Sequence, residues 1–201
     1  MRLASLSRAF GALVVASMLA ACGTTVERLD TNAVKDLSGA WNDTDSRLVS
    51  EEMIQDVLAR PWVQEYTRTK RKPPAVIVGE VRNLSHEHIN VGTFVSDMER
   101  ALINSGKVKF VASSVERGEL RDERRDQELH AREDTRKAMG QELGADYMLK
   151  GTINTIVDAE GKTQVRYYQV DLTLISLVDN EKVWIGQKKI KKLVKNASLR
   201  F

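Results

Sequence analysis

The sequence predicts an α/β domain, a small sandwich in which helices pack on a mixed β-sheet. In the first two thirds of the chain, apolar residues recur at helical spacing between short apolar runs bounded by turn residues. The last third alternates apolar and polar residues over two long arms, as half-buried antiparallel strands do. Hydrophobic residues make up 42% of the 201 residues and charged residues 29%, with three prolines, which excludes intrinsic disorder and a disulfide scaffold.

The first part of the predicted domain is a turn-rich segment, residues 36–47, centred on Trp41. Behind it, apolar residues at helical spacing predict a helix over 49–58, with Asp43 to Ser46 available as N-cap and Pro61 as its stop. The next elements follow in order after the basic, proline-stiffened connector 70–74: a buried strand over 75–81, a helix over 91–102 closed by Asn104-Ser105-Gly106, and a second strand over 108–112.

The second part begins with a charged region. Ser113 and Glu116 have the spacing of a capping box, and 15 of the 22 residues from Glu116 to Lys137 are charged with interleaved signs. This pattern predicts a solvated helical face or an excursion from the domain, followed by a further helix that ends at Leu143-Gly144. Two long strands follow, over 147–157 and 163–178, joined by a hairpin loop that contains a glycine. A lysine-rich terminal strand begins at 183, and its charges are expected to protect a sheet edge.

The N-terminus has the pattern of an export signal. Arg2 and Arg8 precede an apolar stretch over 9–19, which is shorter than the roughly 18 residues of a membrane-spanning helix. The stretch ends in Leu19-Ala20-Ala21-Cys22, which resembles the bacterial lipobox, in which the cysteine is lipidated and becomes the mature N-terminus. We therefore expect a signal peptide over 1–21, a lipidated Cys22 and short tether over 22–35, and one domain over 36–201. Gly23 stands where enteric-type lipoproteins retained in the inner membrane carry Asp, which favours the outer membrane.

The sequence contains little that points to catalysis. The formal charge of +3 includes Arg2 and Arg8, so the exported chain is close to neutral and nucleic-acid binding is not expected. Gly161-Lys162-Thr163 imitates the end of a P-loop, but Ile156 stands where that loop needs glycine. His86-Glu87-His88 could offer ligands to zinc, yet the remaining histidine, His130, lies in the charged region. We expect a protein that is not an enzyme, with no cofactor and no metal.

Three ordered segments resemble the LpoB family: Asn104 to Lys107, Gly144 to Leu149, and Glu181 to Gly186. The segment around Trp41 is similar to one seen in the broader bacterial relatives of that family. The resemblance implies a fold similar to the N-terminal domain of TolB. It also implies an outer-membrane lipoprotein on the periplasmic face that binds a bifunctional class A penicillin-binding protein and stimulates its glycan polymerisation and peptide cross-linking. Trp41, Asn42 and Asp43 are then the predicted partner contact, and we expect a monomer.

Two other functions stay open at this stage. An envelope lipoprotein similar to the curli-secretion channel would need long strands with an outward apolar face for the bilayer, whereas the core and Trp184 need the apolar face of the 147–178 hairpin. A periplasmic hydrolase would need a site that the sequence does not display. Trp41 also has a structural alternative, which is to pack on the domain as a lid beside the 49–58 helix.

Overall fold

A computed structural model describes residues 25–137, 139–140 and 142–195. Contacts divide the chain into two units, Met1–Ala33 and Val34–Phe201. The described part of the first unit is exposed and contains one turn, in which the backbone N–H of Asn32 donates to the Asp30 carboxylate at 2.7 Å. The lipobox residues Leu19, Ala20, Ala21 and Cys22 lie outside the described residues.

The second unit is an α/β domain with four helices and five strands among its described residues. In chain order the elements are α1 (Asp43–Ala59), α2 (Trp62–Lys70), β1 (Ala75–Asn83), α3 (Val91–Asn104), β2 (Lys109–Phe110), α4 (Ser114–His130), β3 (Tyr147–Glu160), β4 (Thr163–Ser176) and β5 (Lys182–Lys195). Over the described ranges, no helix is both long and apolar enough to cross a membrane.

The five strands form one mixed sheet in the order β2-β1-β3-β4-β5. β1 is parallel to both β2 and β3, whereas β3, β4 and β5 form an antiparallel meander. The mixed sheet with helices packed on it confirms the predicted fold class. The alternation in β4 is as predicted, since its even-numbered residues from 168 to 176 are buried and the odd-numbered ones between them are partly exposed.

The hydrophobic core lies between one face of this sheet and the helices α1 and α3. Val49 and Phe94 are fully buried on the two helices, and they meet Ile153, Tyr168 and Leu172 of the sheet, which are also fully buried. Because the period of a helix and that of a strand both place apolar residues on one face, this core follows directly from the sequence pattern.

The structure corrects two boundaries in the first part of the domain. α1 begins at Asp43, earlier than expected, and its N-cap is Asn42, whose side chain accepts a hydrogen bond from the backbone N–H of Asp45. Pro61 ends α1 but also opens a second helix, α2, which the sequence analysis missed. Proline is well suited to the start of a helix because its fixed φ is helical and its missing N–H is not needed there.

The charged region is helical but shorter than expected. α4 has no buried residue, in agreement with a solvated face, and it ends at His130. The further helix predicted to end at Leu143 is not found in the described part of residues 131–146, where turns and irregular backbone stand instead. Arg121 and Arg124 of α4 bind the Glu142 carboxylate at 2.8–3.0 Å, and these ion pairs connect α4 to that irregular segment.

Candidate functional site

Trp41 packs onto the domain at the end of the sheet near the β3–β4 loop. Its ring meets that of the fully buried Tyr168 edge-on, with centroids 5.5 Å apart and planes at 67°. The indole N–H donates to the hydroxyl of Ser46 on α1 at 2.8 Å. Trp41 is therefore partly buried against the core, with its polar group already bonded.

Glu87 connects this segment to the sheet. One oxygen of its carboxylate accepts a hydrogen bond from the backbone N–H of Trp41 at 2.9 Å. The other oxygen accepts from the Tyr168 hydroxyl at 2.7 Å and pairs with the Arg166 guanidinium at 2.9 Å. Burial raises the pKa of the Tyr168 hydroxyl, and the hydrogen bond to Glu87 raises it further. The tyrosine therefore stays neutral and donates at every physiological pH.

Lys192 of β5 closes the other side of the segment. Its ammonium pairs with Asp36 at 2.7 Å and with Asp45 at 2.6 Å, and it donates to the backbone carbonyl of Ala40 at 3.2 Å. The Asp45 side chain is only 5% exposed and that of Lys192 12% exposed, so this is a buried ion pair. We call residues 36–42, held by Glu87 and Lys192, the Trp41 clamp.

Gly39 makes the close approach of the clamp to β5 possible. Its φ is +69°, and a Cβ atom at this position would overlap with the side chain of Val194. A glycine supplies both the left-handed backbone and the missing side chain that this contact needs.

The three residues predicted as a partner contact do not present equivalent groups. Asn42 uses its side chain on Asp45 and on Asp36, so it acts as helix cap and clamp residue. Trp41 has only part of its ring exposed, whereas Asp43 is exposed in the first turn of α1. A partner at this end of the domain would therefore meet the Asp43 carboxylate and the exposed part of the Trp41 ring.

Replacement of Trp41 by alanine is expected to lower the free energy of unfolding by about 2 kcal/mol. The reason is that truncation of a partly buried tryptophan loses roughly half of the stabilisation that is lost when a fully buried one is truncated. Thermal unfolding of Trp41→Ala measures this loss, and Asp43→Ala is the control. The Asp43→Ala change should lower the free energy of unfolding by less than about 1 kcal/mol. An unchanged melting temperature combined with lost partner binding would instead make Trp41 a contact residue and contradict its clamp role.

The possible metal ligands are not brought together. His86 and His88 are exposed in the loop after β1, and Glu87 between them is engaged by Trp41, Tyr168 and Arg166. In the described ranges no group of three or more histidine, cysteine or acidic side chains could hold a metal ion.

A protein-family model described as "Peptidoglycan-synthase activator LpoB" matches residues 45–190, well over half of the chain. The chain belongs to the LpoB family. The match begins at the buried Asp45 of α1, so Trp41, Asn42 and Asp43 precede it. A comparison with curated protein sequences finds no match.

Solved structures similar to the chain include two LpoB domains. The LpoB C-terminal domain of Escherichia coli aligns with 16% sequence identity and a TM-score of 0.37, and that of Salmonella enterica aligns with 16% sequence identity and a TM-score of 0.36. Each alignment covers 66% of this chain and 94% of the LpoB domain. The lipoprotein GNA1162 of Neisseria meningitidis aligns with 16% identity and a TM-score of 0.39, over 63% of this chain and 88% of the other.

The segments that resemble the LpoB family all have structural roles. Asp146 holds the starts of β1 and β3 together, since its carboxylate and its backbone N–H both bond to Ala75, at 2.8 and 2.7 Å. Gly106 has a φ of +67° in the turn after α3. Trp184 donates from its indole N–H to Asp56 of α1 at 2.7 Å.

The residues that hold the clamp were not predicted from the sequence. Glu87 was considered only as a metal ligand, Lys192 was expected to be one of the lysines that protect the sheet edge, and Arg166 was not singled out. Their partners are far away along the chain, 46 residues for Trp41 and Glu87 and 156 residues for Asp36 and Lys192. No periodicity or motif carries a signal over such separations.

Proposed function

We propose that this LpoB-family protein is a lipid-anchored periplasmic activator, which binds a class A penicillin-binding protein and stimulates its peptidoglycan synthesis. The observation that carries the proposal is the family match over residues 45–190. An activator acts by binding one conformation of its enzyme more tightly than another, so it needs a stable domain and a docking face rather than a catalytic group.

The proposed arrangement places the domain on a short tether to the outer membrane. Residues 1–21 are the signal peptide, Cys22 carries the lipid, and residues 22–35 are the tether, which spans at most about 50 Å when fully extended. Residues 36–42 add no reach while the Trp41 clamp is closed, because Lys192 and Glu87 hold them on the domain. A synthase must therefore present its docking surface within the sum of this distance and the length of the domain from the outer membrane.

Trp41, Asn42 and Asp43 remain the proposed contact at the clamp end of the domain. Asp43 supports this, because its carboxylate is exposed at the start of α1. Asp43→Lys is the informative variant, since it reverses an exposed charge without touching the clamp.

The function is tested by mixing the full mature lipoprotein, in detergent, with a purified class A synthase of the same cell. We expect a higher rate of glycan polymerisation or cross-linking, with a ceiling of roughly 5- to 150-fold that corresponds to a coupling free energy of about 1–3 kcal/mol. The lipoprotein alone, as the control, is expected to show no turnover on peptidoglycan or its precursor. Absence of binding to every class A synthase of the cell, with folded lipoprotein in excess, would reject the proposal.

Cys22→Ala is expected to release the protein from the outer membrane or to arrest its export, while the purified variant keeps the melting temperature of the domain. The physical reason is that several acyl chains anchor a protein stably, whereas the rest of the chain needs no thiol to fold. Fractionation of membranes after a high-salt wash measures the effect. A variant that still sediments with outer membrane would contradict anchoring by lipid.

The proposal includes a monomeric domain. The native mass of the mature protein in detergent tests this point, and it also tests the channel-type alternative. A ring of many copies would contradict the monomeric activator.

A further inference from the structure

A dense group of cations lies where α2 ends and β1 begins. Its six members are all exposed, and none of them forms an ion pair within the described part of the chain: Arg68, Lys70, Arg71, Lys72, Lys107 and Lys109. We call these residues the basic cluster. The segments that carry it, 64–74 and 105–110, contain a single acid, Glu65. From another segment, the fold adds the Asp146 carboxylate, which accepts a hydrogen bond from Ala75 at the start of β1, so the six exposed cations outnumber these two acids.

The fold assembles this patch from two separate parts of the sequence. β2 pairs with the start of β1 in parallel, with Lys109 opposite Ala75 and its backbone N–H donating to the Pro74 carbonyl at 2.9 Å. The connector cations at 70–72 thereby come beside the cations of the turn after α3.

An open groove of about 530 Å³ borders the basic cluster, and two of the six cations, Arg68 and Lys107, line it. Its apolar lining comes from Leu58, Val63 and Pro73, and Arg68 and Lys107 stand beside them. A groove of this kind fits an apolar side chain that projects from an anionic surface.

Arg71 adds its charge to the cluster from a position that usually takes glycine. It occupies the position after the end of α2 with a φ of +55°, and its backbone N–H donates to the Thr67 carbonyl at 2.8 Å. Helices usually place glycine at such a position because a side chain is strained in the left-handed conformation. The chain instead keeps an arginine, whose exposed guanidinium joins the cluster.

The basic cluster and the Trp41 clamp are at opposite ends of the sheet. Trp41 packs on Tyr168, whereas Trp62 and Tyr66 of α2 pack on Tyr147, which pairs with Ser176. Ser176 is eight residue steps beyond Tyr168 along β4, which is roughly 26 Å at the usual rise of a strand. The cluster therefore lies far from the end at which the N-terminal segment joins the domain.

We propose that the basic cluster is a second surface that docks on the synthase, in addition to the contact at the clamp end, and that it receives an acidic protein surface from which an apolar side chain enters the groove. This inference rests on the proposed function and names the site and the chemistry of its partner. Charge complementarity favours an acidic partner, since six unpaired cations speed association with an anionic surface and repel a basic one. The position of the cluster favours the synthase over the anchoring membrane, because the tether joins the domain at the other end.

The test compares binding of three forms of the full mature lipoprotein to the class A synthase at two salt concentrations. The cluster variant is Arg68→Glu/Arg71→Glu/Lys107→Glu. The matched control is Lys189→Glu/Lys191→Glu/Lys195→Glu, which makes the same change in charge at exposed positions of β5. We expect the cluster variant to bind at least about 10-fold more weakly with a flatter salt dependence, the control to bind like the wild type, and all melting temperatures to agree within about 2 °C.

A second variant, Arg71→Gly, separates binding from folding. It removes one cation and relieves the left-handed arginine, so the melting temperature should stay the same or rise while binding weakens. A defect in folding would instead lower the melting temperature and weaken binding together.

Two further outcomes overturn the inference alone, and a third overturns the proposed function together with the inference. Wild-type protein that binds the synthase, with a cluster variant that binds equally well, rejects the cluster as a docking site. The same holds if the cluster is needed only for sedimentation with vesicles of 30% phosphatidylglycerol in phosphatidylcholine. A wild type that binds no class A synthase rejects the proposed function and, with it, the inference.

Discussion

Replacement of Lys192 by methionine is expected to lower the free energy of unfolding at neutral pH by about 3–5 kcal/mol, since removal of one partner of a buried ion pair leaves the other charge uncompensated. The charge left behind is the Asp45 carboxylate, which lies 2.6 Å from the Lys192 ammonium and is 5% exposed. Asp36 and the Ala40 carbonyl lose their partner as well, so residues 36–40 should be held less tightly on the domain. Urea unfolding measures the loss.

Two controls make the Lys192 prediction specific. Lys191→Met changes the next residue, which is exposed on the other face of β5, and it should alter stability by no more than about 0.5 kcal/mol. Lys192→Met/Asp45→Asn removes both charges and should regain a part of the loss, because no buried charge remains. A single variant that costs less than about 1 kcal/mol would contradict the buried ion pair.

Lys192→Met should also make the free energy of unfolding depend less on pH. Burial alone would lower the pKa of Lys192, but the hydrogen bonds to Asp36 and Asp45 outweigh it and raise that pKa. This stabilisation is complete below the unfolded value of about 10.4 and is lost as the pH rises above it. The hydrogen bond from Lys192 lowers the pKa of Asp36, so that contribution is present above about pH 4 and is lost on further acidification. Lys192→Met should show neither change.

Replacement of Trp184 by alanine is expected to cost about 3–5 kcal/mol, which lowers the melting temperature by roughly 6–20 °C. The side chain is 4% exposed and lies over Gly186, where a Cβ atom would overlap with the indole ring and meet Met53. Its N–H donates to Asp56, and this hydrogen bond lowers the pKa of that carboxyl. Trp184 therefore fastens β5, the edge strand, to α1.

Trp184→Phe separates the hydrogen bond from the packing. It keeps most of the ring volume and loses a hydrogen bond to a charged group, so it should cost about 1.5–3 kcal/mol and let the pKa of Asp56 rise towards its ordinary value. Ile185→Ala, at the neighbouring and 63% exposed position, is the matched control and should stay within about 0.5 kcal/mol of the wild type. Equal losses for Trp184→Ala and Ile185→Ala would contradict the buried position of Trp184.

The sequence predicted the elements that depend on local pattern. The α1 and α3 helices, the β1 strand and the β3–β4 hairpin were expected because each buries one face, and that face repeats along the chain with the period of the element. The boundaries were less accurate where a cap or a proline decides them. Asn42 rather than a residue of 43–46 caps α1, and Pro61 both ends one helix and starts the next.

The candidate site was predicted only in part. The sequence singled out Trp41 as a candidate contact and identified residues 70–74 only as a basic connector, since an isolated tryptophan and a run of cations are visible by composition. It gave Glu87 only a possible role as a metal ligand and placed Lys192 among the lysines that protect the sheet edge, because the contacts of these residues with the clamp join segments that no local pattern relates.

The sequence by itself determined that this chain is an α/β domain of the LpoB family type, because periodicity, turn residues and ordered motifs are properties of neighbouring residues. Only the tertiary structure decided what the two ends of the domain are. At one end Lys192 and Glu87 fix the Trp41 clamp on the sheet. At the other, the parallel pairing of β1 with β2 brings Lys107 and Lys109 to the connector cations. Both ends depend on the register between strands, which the burial of the whole core selects and no single segment contains.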